Sequence, residues 1–396
     1  MRIAIFSDNF QPELSGISDS IIALAKELAE RGHFINFYVP KYSENDYKLA
    51  NLPYGEIELG KNIKITRFSS LHFGAGTGQG RAVIPLGLRY LTVKKFKPDV
   101  IHTQLFFGVG LEALVASRIL KIPLIGTNHT AIKEFLRYAP IRSRWLDSMI
   151  IKYVNWYYSR CNLTTAPSHS VIDEMRFFGF KGEAHVISNP IDTETFSPLP
   201  NKNWLRKKFN FGEYAIIHAG RLADERNIDV IIRAMPLIKK KIPQIELFIA
   251  GRGAAEKKLK KLAEDTDVAS SVKFMGFLEK PVLAEVYNAS KIFVITSTSD
   301  TQSMVMMQAM ASGLPIIGVK ARALPEYINP KNGVLTEPGN ERMLARNVIS
   351  LFRNPEKRKR LSEGARRFAN KFSIKSITRE WEEIYAHTIK NYGDKK

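Results

Sequence analysis

Short apolar runs alternate with longer stretches of helical periodicity along most of the 396 residues. That alternation admits few architectures, because each strand buried on both faces must be covered by the helices that follow it. In the first half the strand candidates are Arg2–Phe6, Phe34–Val39, Ile63–Phe68, Val100–Thr103, Leu124–Thr127, Leu163–Ala166 and Ala184–Ile187. Between the first two, Ile21, Leu24, Ala25 and Leu28 recur on one helical face and stop at Arg31-Gly32, a C-cap signal. The pattern restarts with strands at Ala215–Ala219, Glu246–Ala250, Val272–Met275, Ile292–Thr296 and Ile316–Val319, so two α/β sheets are expected. Proline punctuation over Ser188–Pro200 marks the join between residues 1–196 and residues 197–372; a last helical segment, 373–396, is expected to pack back on the first domain, although composition does not fix where it packs. Two doubly wound sheets collect ligands at the carboxyl ends of their strands, so the expected working site is a cleft between the halves.

Charge narrows the partners without choosing one. With 59 Lys and Arg against 39 Asp and Glu, the net charge is +20. Such a chain suits a phosphorylated substrate, anionic lipid or nucleic acid. No recognised nucleic-acid module accompanies it, which places nucleic acid last. Up to Phe196 there are 23 basic and 18 acidic residues, leaving 36 against 21 beyond it, so most of the excess lies in the second half. Cys161, the single cysteine, excludes an internal disulfide and a cysteine-rich metal site. The most apolar long stretch, Val100–Gly126, is broken by His102, Gln104, Glu112, Arg118 and Lys121 and does not supply the ~20 apolar residues of a membrane span. The amino terminus lacks a secretory pattern, and cytoplasmic residence is expected.

Four turns carry candidate chemistry. Pro12-Glu13-Leu14-Ser15-Gly16-Ile17 follows the first strand and opens the first helix. It reads equally as a backbone cradle for phosphate and as a plain turn capped by Ser15. Gly251-Arg252-Gly253 is the same type of signal in the second half. Gly220-Arg221-Leu222-Ala223-Asp224-Glu225-Arg226 places two arginines in a strand-to-helix turn, where guanidinium groups bind phosphate oxygens bidentately, or else pair with Asp224 and Glu225. Asn128-His129-Thr130 ends a strand, with the ring facing the cleft or serving the core. In Ser299–Pro315, Asp300 precedes a helix and Gln308 lies two turns inside it; the two bracket an elongated ligand, or Asp300 is a helix cap. Met304, Met306, Met307 and Met310 read as core packing.

Taken together these segments resemble the retaining glycosyltransferases of family four, which have the GT-B fold of two facing Rossmann-like domains. The resemblance spans nearly the whole chain. Pro12–Ile17 is similar to the family's amino-terminal glycine loop, with Ser15 in place of its first glycine, and Thr127–Thr130 resembles the donor-side histidine segment. Ser188–Phe196 is similar to the Asn-Gly-Val-Asp segment before the linker. Gly220-Arg221-Leu222 with Glu225-Arg226 resembles the phosphate-binding Gly-Arg-Leu…Glu-Lys segment, with Arg226 where lysine is usual. The family's Glu-x7-Glu pair becomes Asp300 and Gln308, which keeps charge on a shorter arm at the first position and only hydrogen bonding at the second.

This resemblance implies a hexosyltransferase using a nucleotide-diphosphate sugar, UDP-glucose or a relative, with no obligatory metal and retention at the anomeric carbon. Arg221 and Arg226 are then expected to stabilise the leaving diphosphate, helped by Gly16 beside Ser15. His129 and Asp300 are expected to orient the sugar, Gln308 to hold the ribose, and the backbone at Phe277-Leu278 to border the base. Gly220, Gly251, Gly253, Ser303 and Met304 complete the expected donor-binding set.

The region from Gly126 through Tyr138, followed by Ile141–Arg160, is similar to the branch that glycosylates membrane lipids, including diacylglycerol glucosyltransferases and phosphatidylinositol mannosyltransferases. A lipid acceptor and a peripheral position on the inner face of the cell membrane are implied. Independently, Trp145, Met149, Ile150, Tyr153, Trp156 and Tyr157 recur at helical spacing with Arg142, Arg144, Lys152 and Arg160 interleaved. Such a helix lies in a membrane interface, or packs on the first sheet. The rival functions are a soluble-acceptor glycosyltransferase, a sugar-nucleotide epimerase, and a nucleotide-sugar-binding homologue weakened by Gln308.

Overall fold

The computed structural model describes residues 1–13, 15–72, 79–132, 143–200 and 202–394. They form two units, Met1–Pro190 with Ile374–Lys396, and Ile191–Ser373. The change of unit falls at Pro190, before the Phe196 read from the sequence, for a packing reason. The Ile191 N–H donates to the Phe372 carbonyl at 2.8 Å, and Ile191 and Phe196 are both fully buried in the second unit's core.

The first unit is built on β1 (Arg2–Phe6), β2 (Phe34–Pro40), β3 (Ile63–Phe68), β4 (Val100–Thr103), β5 (Leu124–Thr127), β6 (Leu163–Ala166) and β7 (Ala184–Val186). They pair in parallel in the order β3-β2-β1-β4-β5-β6-β7. Strand order therefore reverses between β1 and β4, the position where an open α/β sheet offers a ligand crevice at its carboxyl edge. Ile3 to Phe6 and Val100 to Thr103 are all buried, as strands covered on both faces must be. Helix α1 (Gly16–Glu30) turns Ile21, Leu24, Ala25 and Leu28 onto the sheet, each large apolar side chain contributing about 1.5–3 kcal/mol by burial. Helix α2 (Gly108–Leu120) follows β4, and helix α3 (Arg144–Tyr158) lies between β5 and β6.

The second unit repeats the plan with β8 (Ala215–Ala219), β9 (Glu246–Ala250), β10 (Val272–Gly276), β11 (Ile292–Val294), β12 (Ile316–Val319) and β13 (Gly333–Thr336), in the order β10-β9-β8-β11-β12-β13. Its switch point lies between β8 and β11. Helix α4 (Ile228–Lys239) continues through Pro236, and helix α5 (Met304–Ala311) follows β11. Met306, Met307 and Met310 are fully buried in the core and Met304 packs against it. The last helix, α6 (Ile374–Gly393), packs against α1 in the first unit, where Glu382 accepts from Arg31 at 3.2 Å and meets His33 at 2.8 Å.

Candidate active site

The second unit's candidate site is built by the loops that leave β8, β9 and β11. Gly220 takes φ +141° directly after β8, so the chain turns sharply and its N–H donates to the Ala250 carbonyl at 2.9 Å. A Cβ on Gly251 would lie 1.9 Å from the Gly220 carbonyl oxygen, and one on Gly253 would lie 2.1 Å from that of Leu222. These glycines are thus required by the contact between the two loops themselves. Asn227, at φ +48°, ends the 3-10 turn Asp224–Arg226 and donates to Thr298 at 3.1 Å, tying the loop after β8 to the loop after β11.

The two arginines separate. Arg226 donates to Asp300 at 2.5 Å and to Ser297 at 3.3 Å, from a largely buried position. Arg221 is exposed and donates to Glu225 at 2.7 Å. Asp300 is not the cap of α5, because the Ser303 hydroxyl accepts the Met306 N–H at 3.4 Å in that role. One Asp300 oxygen, Oδ2, is buried with no hydrogen-bond partner among the described residues. Gln308 is buried inside α5, Met304 opens that helix half-buried, Phe277 is exposed after β10, and Leu278 packs partly against the core. The sequence reading missed His218, the penultimate residue of β8. Its Nδ1–H donates to the Val294 carbonyl at 2.9 Å, while Nε2 is buried and unpartnered among the described residues. Burial, and secondarily Arg226, push its pKa down to about 4, so the ring is neutral and Nε2 is an acceptor.

The first unit supplies a second group of residues at the β1/β4 switch point. Ser15 caps α1 by accepting the Ile17 N–H at 3.2 Å, and Gly16 is the first, exposed residue of that helix. Its N–H belongs to the helix-terminal set that has no intrahelical carbonyl. Leu14 lies outside the described residues. Asp8, just beyond β1, is buried and accepts the N–H groups of Val109 at 2.8 Å and Gly110 at 3.4 Å at the start of α2. Burial raises its pKa to about 6 against those stabilising N–H contacts. His129, beyond β5, is buried, donates to the Gln104 Oε1 at 2.7 Å, and is pushed down by burial to about 4. Among the described residues no group of three or more His, Cys, Asp or Glu side chains is gathered as a metal site.

Helix α3 divides its aromatics between two faces. Tyr157 and Tyr158 are fully buried, and Tyr153 donates to the Phe106 carbonyl at 2.5 Å. Trp145, Met149 and Trp156 are exposed with Arg144 and Lys152 beside them, and the Arg160 guanidinium lies 5.4 Å from the Trp156 ring. Tyr138, Ile141 and Arg142 lie outside the described residues. No helix among those described is long and apolar enough to cross a membrane.

Two parallel α/β units, the second with an arginine-bearing loop at its switch point, have the architecture of the GT-B fold. Anabaena HepE, solved in complex with UDP-glucose, has this fold with a TM-score of 0.75 over 98% of this chain and all of its own, at 18% identity. Residues 14–195 match Glycosyltransferase Family 4 and residues 201–368 match Glycosyl transferases group 1, so that the chain belongs to the family-four glycosyltransferases. Among relatives, the alpha-monoglucosyldiacylglycerol synthase of Streptococcus pneumoniae is 28% identical over 80% of this chain and 70% of its own. That of Acholeplasma laidlawii is 25% identical over 98% of both chains. The sulfoquinovosyl transferase SQD2 of Arabidopsis thaliana is 25% identical over 72% of this chain and 56% of its own.

Proposed function

We propose that this glycosyltransferase moves glucose from UDP-glucose to a hydroxyl of diacylglycerol, with retention and without an obligatory metal. The observation that carries the donor half is the loop after β8, where Arg221 is exposed and Arg226 is held by Asp300. The acceptor hydroxyl oxygen bonds to the anomeric carbon on the face from which the diphosphate departs. The bond from that carbon to the β-phosphate oxygen breaks with its electron pair, and the hydroxyl proton passes to the leaving phosphate. Charge develops on the diphosphate as that bond breaks, so fixed guanidinium groups stabilise the transition state more than the ground state. Arg226 takes this role from a fixed position, since Asp300 holds one of its nitrogens; Arg221 and the Gly16 N–H add donors. The unpartnered oxygen of Asp300 and the ring of His129 orient sugar hydroxyls. Gln308 holds the ribose, with the backbone of Phe277 and Leu278 bordering the base. Gly220, Gly251 and Gly253 act in this reading by shaping the loop, and Ser303 and Met304 by presenting the start of α5.

The acceptor half is supported by the names of the two synthases above and by the exposed face of α3. Indole rings bordered by basic side chains suit the headgroup depth of an anionic leaflet, which makes the chain a peripheral protein of the inner membrane face. The test is incubation with a panel of radiolabelled sugar nucleotides and total lipid extract, followed by chromatography of the organic phase. Label from UDP-glucose in a product that co-migrates with monoglucosyldiacylglycerol is expected. Label that stays in the aqueous phase on a soluble acceptor would overturn the lipid assignment.

A further inference from the structure

A layer of buried polar side chains runs from α6 to His129 without leaving the first unit. Tyr385 and Trp381 of α6 close on His102 of β4: the Tyr385 hydroxyl is 2.8 Å from His102 Nδ1, and the Trp381 ring lies with its centroid 4.5 Å from the imidazole. His102 Nε2 is 2.7 Å from the Thr127 hydroxyl and 3.1 Å from the Gln104 amide nitrogen. Gln104 in turn presents its amide oxygen to His129 Nε2 at 2.7 Å. All of these side chains are buried.

An amide nitrogen only donates and an amide oxygen only accepts, so Gln104 fixes both rings at once. His129 must carry its proton on Nε2 to donate to Oε1. His102 must leave Nε2 bare to accept from the amide, and therefore carries its proton on Nδ1 and donates it to the Tyr385 oxygen. Thr127 then donates to the same His102 nitrogen and accepts from Thr165, whose hydroxyl is 2.7 Å away. Burial holds both rings neutral, down to about 3 at His102 and about 4 at His129, so each has one proton to place.

We infer that Tyr385, His102 and Gln104 are positioning residues that set which nitrogen of His129 carries the proton, so that the last helix of the chain controls how His129 presents itself. Without the Tyr385 oxygen, the His102 Nδ1–H would lose the acceptor it has among the described residues, which costs more than moving the proton to Nε2. The Gln104 amide must then turn over, its nitrogen donates to His129 Nε2, and the His129 proton moves to Nδ1. The functional consequence rests on the proposed role of His129 in orienting the donor sugar; the proton position does not.

The experiment is nitrogen-15 spectroscopy of the histidine-labelled full chain, with His129 assigned among the eight histidines by substitution. In the parent, His129 is expected protonated on Nε2, and in Tyr385→Phe it is expected to shift toward Nδ1. In the same variant kcat should fall about three- to tenfold, the rate equivalent of one hydrogen bond, with the donor KM within about twofold. Gln104→Glu supplies a carboxylate that accepts from both rings, so adding Tyr385→Phe to it should leave His129 unchanged. A parent His129 protonated on Nδ1, an unchanged ring in Tyr385→Phe, or a Tyr385 effect that persists beside Gln104→Glu would each overturn the relay. Should Tyr385→Phe not fold, Gln104→Leu serves instead: it removes the acceptor at His129 Nε2, so the ring is expected to shift away from Nε2 protonation, and a ring unchanged in that variant sinks the idea. His129→Ala with the parental rate would remove the proposed sugar contact while leaving the spectroscopic result intact.

Discussion

Arg221 and Arg226 sit five residues apart in one turn, yet their surroundings assign them different sensitivities. Arg221 is exposed, so water takes over part of its contact with Glu225, whose own side chain is largely buried; Arg226 lies deeper beside buried Asp300, and its loss strands that carboxylate. Arg221→Ala is expected to lower kcat by roughly 100-fold, as loss of one fixed donor to a developing oxyanion does, with a stability cost of about 1 kcal/mol. Rates of UDP release and urea unfolding measure the two sides, and a parental rate would remove Arg221 from the mechanism. Asp8 gives a pH signature in stability. Its pKa rises from 3.8 in the unfolded chain to about 6 in the folded one, so the native state holds the proton more tightly. That contribution is complete below pH 4, is lost as pH rises through about 6, and is flat above, amounting to at most about 3 kcal/mol at ~1.4 kcal/mol per unit. Asp8→Asn removes this slope: its stability relative to the parent should climb between pH 4 and 6 and then level off, and a difference independent of pH would contradict the assignment. Neither Asp8 nor His218 was legible in the sequence. The role of each is set by groups far along the chain, at Val109 and Gly110 for one and Val294 for the other, and no local spacing encodes them.

At the scale of elements, strands were the most readable feature because both their faces are covered, which leaves continuous apolar runs. Eight of the strands, Arg2–Phe6 among them, begin and end where the sequence places them. The edge strand Gly333–Thr336 escaped because it offers only two large apolar residues after a turn. Helix Ile228–Lys239 runs on through Pro236, because the ring lacks only one donor near the last turns, and burial of Met235 and Ile238 keeps the helix together. Helix α3 shows a different limit. Its periodicity announced a helix, whereas its apolar residues run around both faces, so the side that meets the sheet could be decided only by packing. With Tyr157 inside and Trp145, Met149 and Trp156 outside, the two sets have separable effects. Replacing Trp145 and Trp156 together by alanine should weaken binding to phosphatidylglycerol vesicles by roughly tenfold or more, the equivalent of removing part of two rings from an apolar boundary. Co-sedimentation measures it, and because Trp156 also stacks on Tyr153 with ring centroids 5.9 Å apart, circular dichroism at the assay temperature checks that the variant is folded. Vesicle binding at the parental level would mean that α3 is not the docking face.

For the molecule as a whole, the net charge of +20 offers a second route to the proposed membrane surface, and salt separates it from the aromatic one. The excess is concentrated beyond Phe196, where basic residues outnumber acidic ones 36 to 21, while the part that carries α3 is only mildly basic at 23 to 18. Many of the later charges are on exposed helical faces, such as Lys257, Lys258, Lys260 and Lys261 of the helix Glu256–Asp265. Charges so placed attract an anionic surface at about 1 kcal/mol each when close to it and lose that attraction beyond a Debye length. That length shrinks from about 10 Å at 0.1 M salt to about 3 Å at 1 M, whereas burial of indole in the interface is little affected by salt. The parent chain should accordingly show vesicle binding in two parts: one that falls steeply between low and high salt, and a remainder that persists at 1 M. The Trp145 and Trp156 double variant should lose the persistent part and keep the salt-sensitive one. Binding of the parent that vanished entirely at high salt would place docking on the diffuse charge alone and leave the exposed face of α3 without a membrane role.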